Sequence, residues 1–177
     1  MRTAAVSLCA AAAFAASSLL PARAAEPSRA APVKIAVFGF ELDDATPAAA
    51  YAGKASDETS ATRTALRRAT VAARKELARS GRYSIVSVKG VHAKPVEDHT
   101  LRNCGGCEAA IARKLGAQES MLGIVKSVTQ TDYYILVVIR NAATGKVVNS
   151  QAANFAGGQE GWPNGALVLI RYQVLPR

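Results

Sequence analysis

The stretch that decides the fold covers residues 33–40 and reads Val-Lys-Ile-Ala-Val-Phe-Gly-Phe. Every position except Lys34 carries an apolar residue or glycine, so the stretch lacks the alternation of apolar and polar residues that a half-exposed strand shows. A strand that is apolar on both sides is typical of a central strand, whose sheet is covered on both faces. The stretch therefore predicts an α/β domain with this strand in the middle of its sheet.

A helix with one apolar and one basic side is predicted to follow. Residues 41–55 predict a loop, and Asp57 and Glu58 favour a helix start because carboxylates stabilise the positive end of the helix dipole. Gly81 predicts the end of this helix. Small or apolar residues recur at helical spacing, at Leu66, Ala69, Thr70, Ala73 and Leu77. Basic residues take the other side, at Arg63, Arg67, Arg68, Arg74 and Lys75.

The rest of the chain predicts one more helix between strands, then a strand meander and a final helix. The predicted elements are a strand at 82–88, a loop at 89–100, a helix at 104–115, strands at 121–128, 133–141 and 146–152, a glycine-rich loop at 153–161 and a helix at 166–175. Residues 166–175 would also suit a strand, but Pro163 favours a helix start. The short links 129–132 and 142–145 require antiparallel neighbours.

This order, β-α-β-α-β-β-β-α, predicts an α/β layer fold. The sheet is expected to be mixed, with about five strands and with the helices packed on it. Its early strands are expected to be joined by right-handed crossovers, and its later strands to be antiparallel.

The first 24 residues have the features of an export signal peptide. A positive start precedes an apolar segment at 4–20, and Ala22 and Ala24 occupy the −3 and −1 positions of a cleavage site. The apolar segment is too short and too rich in alanine for a retained membrane anchor. The predicted organisation is a signal peptide at 1–24, a flexible lead-in at 25–32 and a single domain at 33–177. The predicted location is the periplasm.

The chain is strongly basic, with a formal net charge of +9. Export separates it from nucleic acid, and aromatic residues do not interleave with its arginines, so nucleic acid is not the predicted partner. On the first helix Arg63, Arg67 and Arg74 align in a stripe. A solvated helix face explains such a stripe most simply. The functional interpretation is a surface that attracts an acidic protein partner or an anionic membrane surface, which makes these three arginines candidate interaction residues.

The segment Asn-Cys-Gly-Gly-Cys-Glu at 103–108 is the only other stretch that suggests chemistry. In an oxidising compartment two nearby cysteines form a disulfide by default. The two glycines allow the backbone to bring the sulfurs together. The preferred interpretation is a structural disulfide between Cys104 and Cys107.

Two chemical alternatives use the same cysteines. A thiol-disulfide oxidoreductase also places such a pair at a helix start, where the dipole stabilises a thiolate. Thioredoxin-like enzymes require a proline loop facing the pair, however, and the chain has no proline between Pro95 and Pro163. A zinc site could recruit His92 and His99, although their spacing matches no common zinc finger. Redox or metal handling is the alternative to a structural role.

Three acids follow the central strand, at the end where α/β sheets place ligands: Glu41, Asp43 and Asp44. They are candidates for a cation or catalytic site, whereas acids in such a loop more often serve only to solvate it. No phosphate-binding loop, dinucleotide fingerprint, serine-hydrolase elbow or zinc-protease motif occurs. The sequence therefore predicts no catalytic residue, no metal site and no cofactor.

Several segments resemble a family of exported bacterial proteins described only as a domain of unknown function. They are residues 34–44, 80–83, 103–108, 112–117 and 145–146 together with Trp162. The layout is more distantly similar to the N-terminal domain of the TolB translocation protein and to the periplasmic part of curli-secretion lipoproteins. The resemblance implies a non-enzymatic assembly or interaction domain with a protein partner in the periplasm.

Overall fold

The computed structural model describes residues 31–44, 59–129 and 131–176. The predicted signal peptide, most of the lead-in and the predicted helix start at Asp57 and Glu58 lie outside these residues. The strands are β1 Val33–Val37, β2 Glu41–Asp44, β3 Tyr83–Val86, β4 Glu119–Ser127, β5 Asp132–Asn141 and β6 Val147–Ala156. The helices are α1 Ser60–Arg79, α2 Lys94–Glu97, α3 Cys107–Lys114 and α4 Trp162–Leu169.

The strands form one mixed six-stranded sheet in the order β3-β1-β4-β5-β6, with β2 also paired to β4. β1 lies between β3 and β4 and is parallel to both, which requires the connections through α1 and α3. β4, β5 and β6 form an antiparallel meander across the two short links. The predicted α/β fold with a mixed sheet and a central first strand is therefore confirmed.

The sheet has one strand more than the five predicted. This additional strand, β2, occupies the start of the segment that was predicted to be a loop from residue 41 onward. Val37 pairs with Met121 and Glu41 pairs with Ile124, so the chain has one residue more than β4 between these two pairs. This extra residue is a β-bulge in what is otherwise one continuous strand. The acids of β2 gave residues 41–44 the sequence pattern of a solvated loop. In the structure, however, two of these acids bind basic or backbone partners instead of simply facing water.

Successive side chains of β1 enter different hydrophobic layers, as expected for a strand covered on both faces. Ile35 and Val37 pack with α1, α4 and the inward residues of β4 and β5. Ala36 and Phe38 pack with Leu101 and with Ala112 of α3. The larger layer contains 19 buried residues, so the sheet and its two long helical segments supply most of the core.

Several predicted boundaries move because tertiary pairing overrides local pattern. β6 continues into the predicted glycine-rich loop, since Ala153 and Phe155 pair with Ile135 and Tyr133 of β5. The last helix begins at Trp162, earlier than predicted, and continues as a π-helical turn at Ile170–Val174, so the helical interpretation is confirmed over the strand. The short helix α2 lies inside the predicted loop at 89–100, and α3 starts later than predicted, at Cys107.

Within the described ranges, no helix has both the length and the apolar composition needed to cross a membrane.

Candidate functional site

Helix α1 and the bulge between β1 and β2 border a cavity of about 330 Å³ that we call the basic groove. One wall is the side of α1 from Arg63 to Arg74, the other wall contains Gly39 and Phe40, and His99 lies at its border. All three predicted interaction residues, Arg63, Arg67 and Arg74, line this cavity. The predicted stripe therefore lies beside a concave surface and not on a flat helix face.

The lining between the arginines is mainly apolar. Phe40 and Leu66 are buried, while Val71 is 57% exposed at the border. Thr70 adds a hydroxyl, but its Oγ1 already accepts a hydrogen bond from the backbone N–H of Phe40 and donates one to the carbonyl of Leu66, both at 2.9 Å. The groove thus combines an apolar lining with a basic border.

The three arginines differ in their freedom. Arg74 donates hydrogen bonds from Nε and Nη2 to the carbonyl oxygen of Val37, at 3.2 and 2.6 Å, and its burial lowers the pKa of its guanidinium. It is therefore a fixed part of the wall, which corrects its assignment to a solvated helix side. Arg63 and Arg67 are exposed, and neither guanidinium forms a hydrogen bond or an ion pair with any residue that the structure describes. These two are available to a ligand.

A buried carboxylate holds the segment that carries His99. Glu41 is 1% exposed and accepts hydrogen bonds from the backbone N–H groups of Leu101 and Arg102, at 2.8 and 3.0 Å. Nη1 of Arg102 donates one hydrogen bond to Glu41 Oε2, at 3.2 Å, and another to the carbonyl oxygen of His99, at 2.6 Å. His99 itself adopts φ 52°, a left-handed conformation that is uncommon outside glycine. Glu41 is thus an anchor for this wall of the groove.

Of the three acids that are candidates for a cation or catalytic site, Glu41 and Asp43 bind separate partners. Both oxygens of Glu41 are used by the segment at 101–102. Asp43 forms a half-exposed ion pair with Lys126 at 3.5 Å. The side chain of Asp44 lies outside the described part of the chain.

Cys104 and Cys107 form the predicted disulfide, with their Cα atoms 5.7 Å apart. Gly105 and Gly106 between them have φ values of 67° and 113°, which only glycine adopts without strain. Cys104 is exposed, and Cys107 is half-buried against the layer that contains Phe38. The disulfide therefore closes the turn that leads into α3.

The histidines named for a zinc site are placed elsewhere. His92 contacts Glu97 at 3.1 Å, and His99 borders the basic groove. In the described ranges, the metal-ligand-type side chains that gather at the cysteines include Glu108 and neither histidine. Since both sulfurs are joined to each other, this group is not arranged as a zinc-thiolate site.

Sequence analysis did not find the ion pair that locks the start of α3. Glu108 is 2% exposed, and its Oε1 accepts a hydrogen bond from Arg140 Nε at 2.9 Å. A Cβ atom on Gly106 would lie 3.3 Å from Arg140 Nε, so the glycine leaves room for the arginine.

The roles of Phe40 and His99 in the groove were also missed. Gly39 inside an apolar strand was the available signal, because such a glycine often marks a bulge.

Comparison with protein families assigns the chain. A family model covers residues 33–174, under the name DUF3280 and with the description "Protein of unknown function (DUF2380)". The chain belongs to the DUF3280 family. The match spans all the segments on which the predicted resemblance depends, and the prediction of a family of unknown function is confirmed. A search of curated protein sequences found no match for this DUF3280 protein.

Solved structures share the fold of this DUF3280 protein at low identity. The C-terminal domain of LpoB from Salmonella enterica is 16% identical with a TM-score of 0.50, over 72% of this chain and 85% of that one. A PelC dodecamer from Paraburkholderia phytofirmans is 18% identical with a TM-score of 0.52, over 85% and 90% of the two chains. TolB from Acinetobacter baumannii is 15% identical with a TM-score of 0.47, over 79% of this chain and 27% of that one. The TM-scores of the LpoB domain and of PelC indicate a common fold, and at identities of 16% and 18% they do not show a common function.

Proposed function

We propose that this DUF3280 protein is a periplasmic, non-enzymatic accessory protein that binds an acidic protein partner through the basic groove. The observation that carries the proposal is that Arg63, Arg67 and Arg74 border one apolar cavity. Guanidinium groups recognise carboxylates through paired, charge-assisted hydrogen bonds. The two exposed arginines supply this recognition, while Arg74 keeps the wall in place through Val37.

The leader and the comparisons support the setting of this proposal. The features of residues 1–24 predict export, and the protein partner is then one that occupies the same compartment. The fold is shared with PelC, which was solved as a dodecamer, so that relative at least uses the fold in an assembly. For this chain we propose association with a different, acidic protein, because the lining residues that the structure describes offer positive charge and no carboxylate.

The experiment compares two charge reversals of equal size. Arg63→Glu with Arg67→Glu alters the groove, whereas Arg113→Glu with Lys114→Glu alters exposed positions on α3. Each purified protein is used to capture partners from periplasmic extract at several salt concentrations. We expect the groove variant to lose the salt-sensitive partner and the α3 variant to retain it. The free energy of unfolding should change by at most about 0.5 kcal/mol in the groove variant and fall by up to about 2 kcal/mol in the α3 variant, where acids replace bases at the negative end of a helix dipole. Equal loss of the partner in both variants would mean that the interaction depends only on net charge, which would contradict the proposal.

A second candidate function is thiol-disulfide exchange at Cys104 and Cys107. The exposure of Cys104, one turn before the start of α3, favours it, because an attacking thiol needs access to that sulfur. An exchange protein should show a reduction potential in the range of known oxidants and should catalyse insulin reduction, whereas a structural disulfide resists reduction by glutathione. Turnover above background would favour exchange over the proposed binding function.

A further inference from the structure

We infer that the basic groove binds an acidic segment of a partner by taking one large apolar side chain into the cavity, while flanking carboxylates bind Arg63 and Arg67. The inference rests on the proposed function and adds the chemistry of the ligand to it. It has three supports, which are the size of the cavity, the state of its polar groups and the spacing of its charges.

The size of the cavity fits one side chain. Its volume of about 330 Å³ is at the lower end of the range of about 300–1,000 Å³ for small-molecule sites. The space is bounded on one side by α1 and on the other by the bulge, where Gly39 contributes no side chain. The cavity therefore has room for a single aromatic or branched aliphatic group and is small for a large cofactor or a lipid with two acyl chains.

Two polar side chains of the lining already hold backbone groups. The Thr70 hydroxyl bonds the backbone of Phe40 and Leu66, and the Arg74 guanidinium uses two of its five N–H donors on the carbonyl oxygen of Val37. The donors that Arg74 retains suit an anion, whereas an uncharged polar group would find few free partners there and would lose its bonds to water. An apolar group, in contrast, gains by leaving water itself and by covering the exposed side chain of Val71.

The charges around the cavity favour carboxylates on both sides of that apolar group. Arg63 and Arg67 are four residues apart on α1, so they are stacked about 6 Å apart along its axis and repel each other. A segment with acids on either side of an apolar residue relieves this repulsion at both arginines. His99 borders the groove as well, and none of its lining residues within 31–44, 59–129 and 131–176 is acidic. Charge complementarity thus selects an acidic peptide segment.

The groove is also built in advance of binding. Glu41 holds the His99 segment through the backbone of Leu101 and Arg102, and the disulfide closes the next turn of the same segment. Because the wall is already ordered, less conformational entropy is lost when a ligand binds. Recognition of one inserted side chain is consistent with such a rigid site.

The test uses two synthetic peptides with blocked ends, Glu-Glu-Phe-Glu-Glu and Glu-Glu-Ala-Glu-Glu, in fluorescence polarisation at low ionic strength. We expect the wild-type protein to bind the phenylalanine peptide about tenfold more tightly than the alanine peptide, because one large side chain leaves water. Arg63→Glu with Arg67→Glu should abolish binding of both peptides.

Gly39→Leu separates the cavity from the charges. Gly39 lines the cavity and a Cβ atom on it meets no atom within 4 Å, so leucine can be introduced there without a change to the arginines, and we expect its side chain to fill part of the cavity. We expect this variant to lose the preference for phenylalanine and to keep the weak, salt-sensitive binding of both peptides. Val71→Asp, at an exposed border position, gives an independent check because its charge should weaken the binding of both peptides.

The outcomes distinguish the inference of an inserted side chain from the proposed function. Suppose that the arginine variant loses binding. If wild-type protein then shows no preference for the phenylalanine peptide, or if Gly39→Leu keeps that preference, the inference of an inserted side chain is wrong and the proposed function stands. If wild-type protein binds neither peptide, the proposed function and the inference both fail. Binding to vesicles of anionic phosphatidylglycerol through the same arginines, without peptide binding, would replace the acidic segment with a membrane surface.

Discussion

Gly123 shows how a single residue allows the bulge and the groove to form. Phe40 turns inward at the bulge, and its ring lies over Gly123 on β4. A Cβ atom at position 123 would overlap the ring carbons of Phe40, closer than nonbonded atoms approach. The glycine is therefore required by packing, because no larger residue leaves space for the ring.

Gly123→Ala should consequently destabilise the protein by about 1–3 kcal/mol through overpacking. Urea denaturation followed by circular dichroism measures the free energy of unfolding. Gly39→Ala is the matched control, because its Cβ meets open space and should change stability by about 0.5 kcal/mol at most. Similar losses in the two variants would mean that the ring of Phe40 does not lie over β4.

Glu41 shows why residue type alone predicted its role poorly. An acid after a central strand is compatible with a cation site or a solvated loop. The structure buries it and satisfies its oxygens with backbone groups from a segment 60 residues away in the chain. Nothing near position 41 in the sequence specifies those partners.

At the scale of elements, the disulfide holds the turn before α3. Its two cysteines are three residues apart, so the ring that it closes is small. The chain-entropy estimate for such a ring is about 2 kcal/mol. Cys104→Ser with Cys107→Ser should therefore still fold but unfold at lower urea concentration.

Alkylation under denaturing conditions tests the pairing directly. Neither Cys104 nor Cys107 should react with iodoacetamide in protein isolated from the periplasm, and both should react after reduction. Reaction without reduction, with zinc bound to the purified protein, would support the metal alternative instead.

An ion pair joins α1 to the turn after α4. Arg171 donates hydrogen bonds from Nε and Nη2 to the two carboxylate oxygens of Glu76, at 2.8 and 3.1 Å. The hydrogen bonds from Arg171 lower the pKa of Glu76, and the charges of Arg171, Arg79 and Lys75 lower it further, although burial opposes them. The charged form of Glu76 is thus more stable in the folded protein than in the unfolded chain.

A lowered pKa fixes the sign of the pH dependence. The stabilisation is complete above the pKa of Glu76 in the unfolded chain and is lost as the pH falls through its lower pKa in the folded protein. Between about pH 6 and about pH 3, wild-type protein should lose more thermal stability than Glu76→Gln, which has no carboxylate to titrate. Melting curves across this range measure the difference, and parallel losses in the two proteins would show that the pair is not coupled to folding.

At the scale of the whole molecule, the predicted export would place the groove and the disulfide in the periplasm. The leader at 1–24 lies outside the described residues and stays a prediction. The mature protein should begin at Ala25 or close to it and be released in the periplasmic fraction, because Ala22 and Ala24 form a well-placed cleavage site. Intact-mass measurement checks this, and a mature form that retains Met1 or Cys9, or that carries a lipid, would contradict it.

Local patterns were enough for the order of the three longer helices and of every strand except β2, and for the mixed sheet, the basic side of α1 and the disulfide. Apolar periodicity and the positions of glycine and proline act within a few residues, and the two cysteines share one turn. Strand β2, the Glu41 anchor and the groove depended on tertiary structure instead. The groove needs the Phe40 backbone to meet Thr70, 30 residues away, and the Glu41 carboxylate to meet Leu101, 60 residues away. Short-range patterns do not encode such contacts, because they form only when the sheet brings distant segments together.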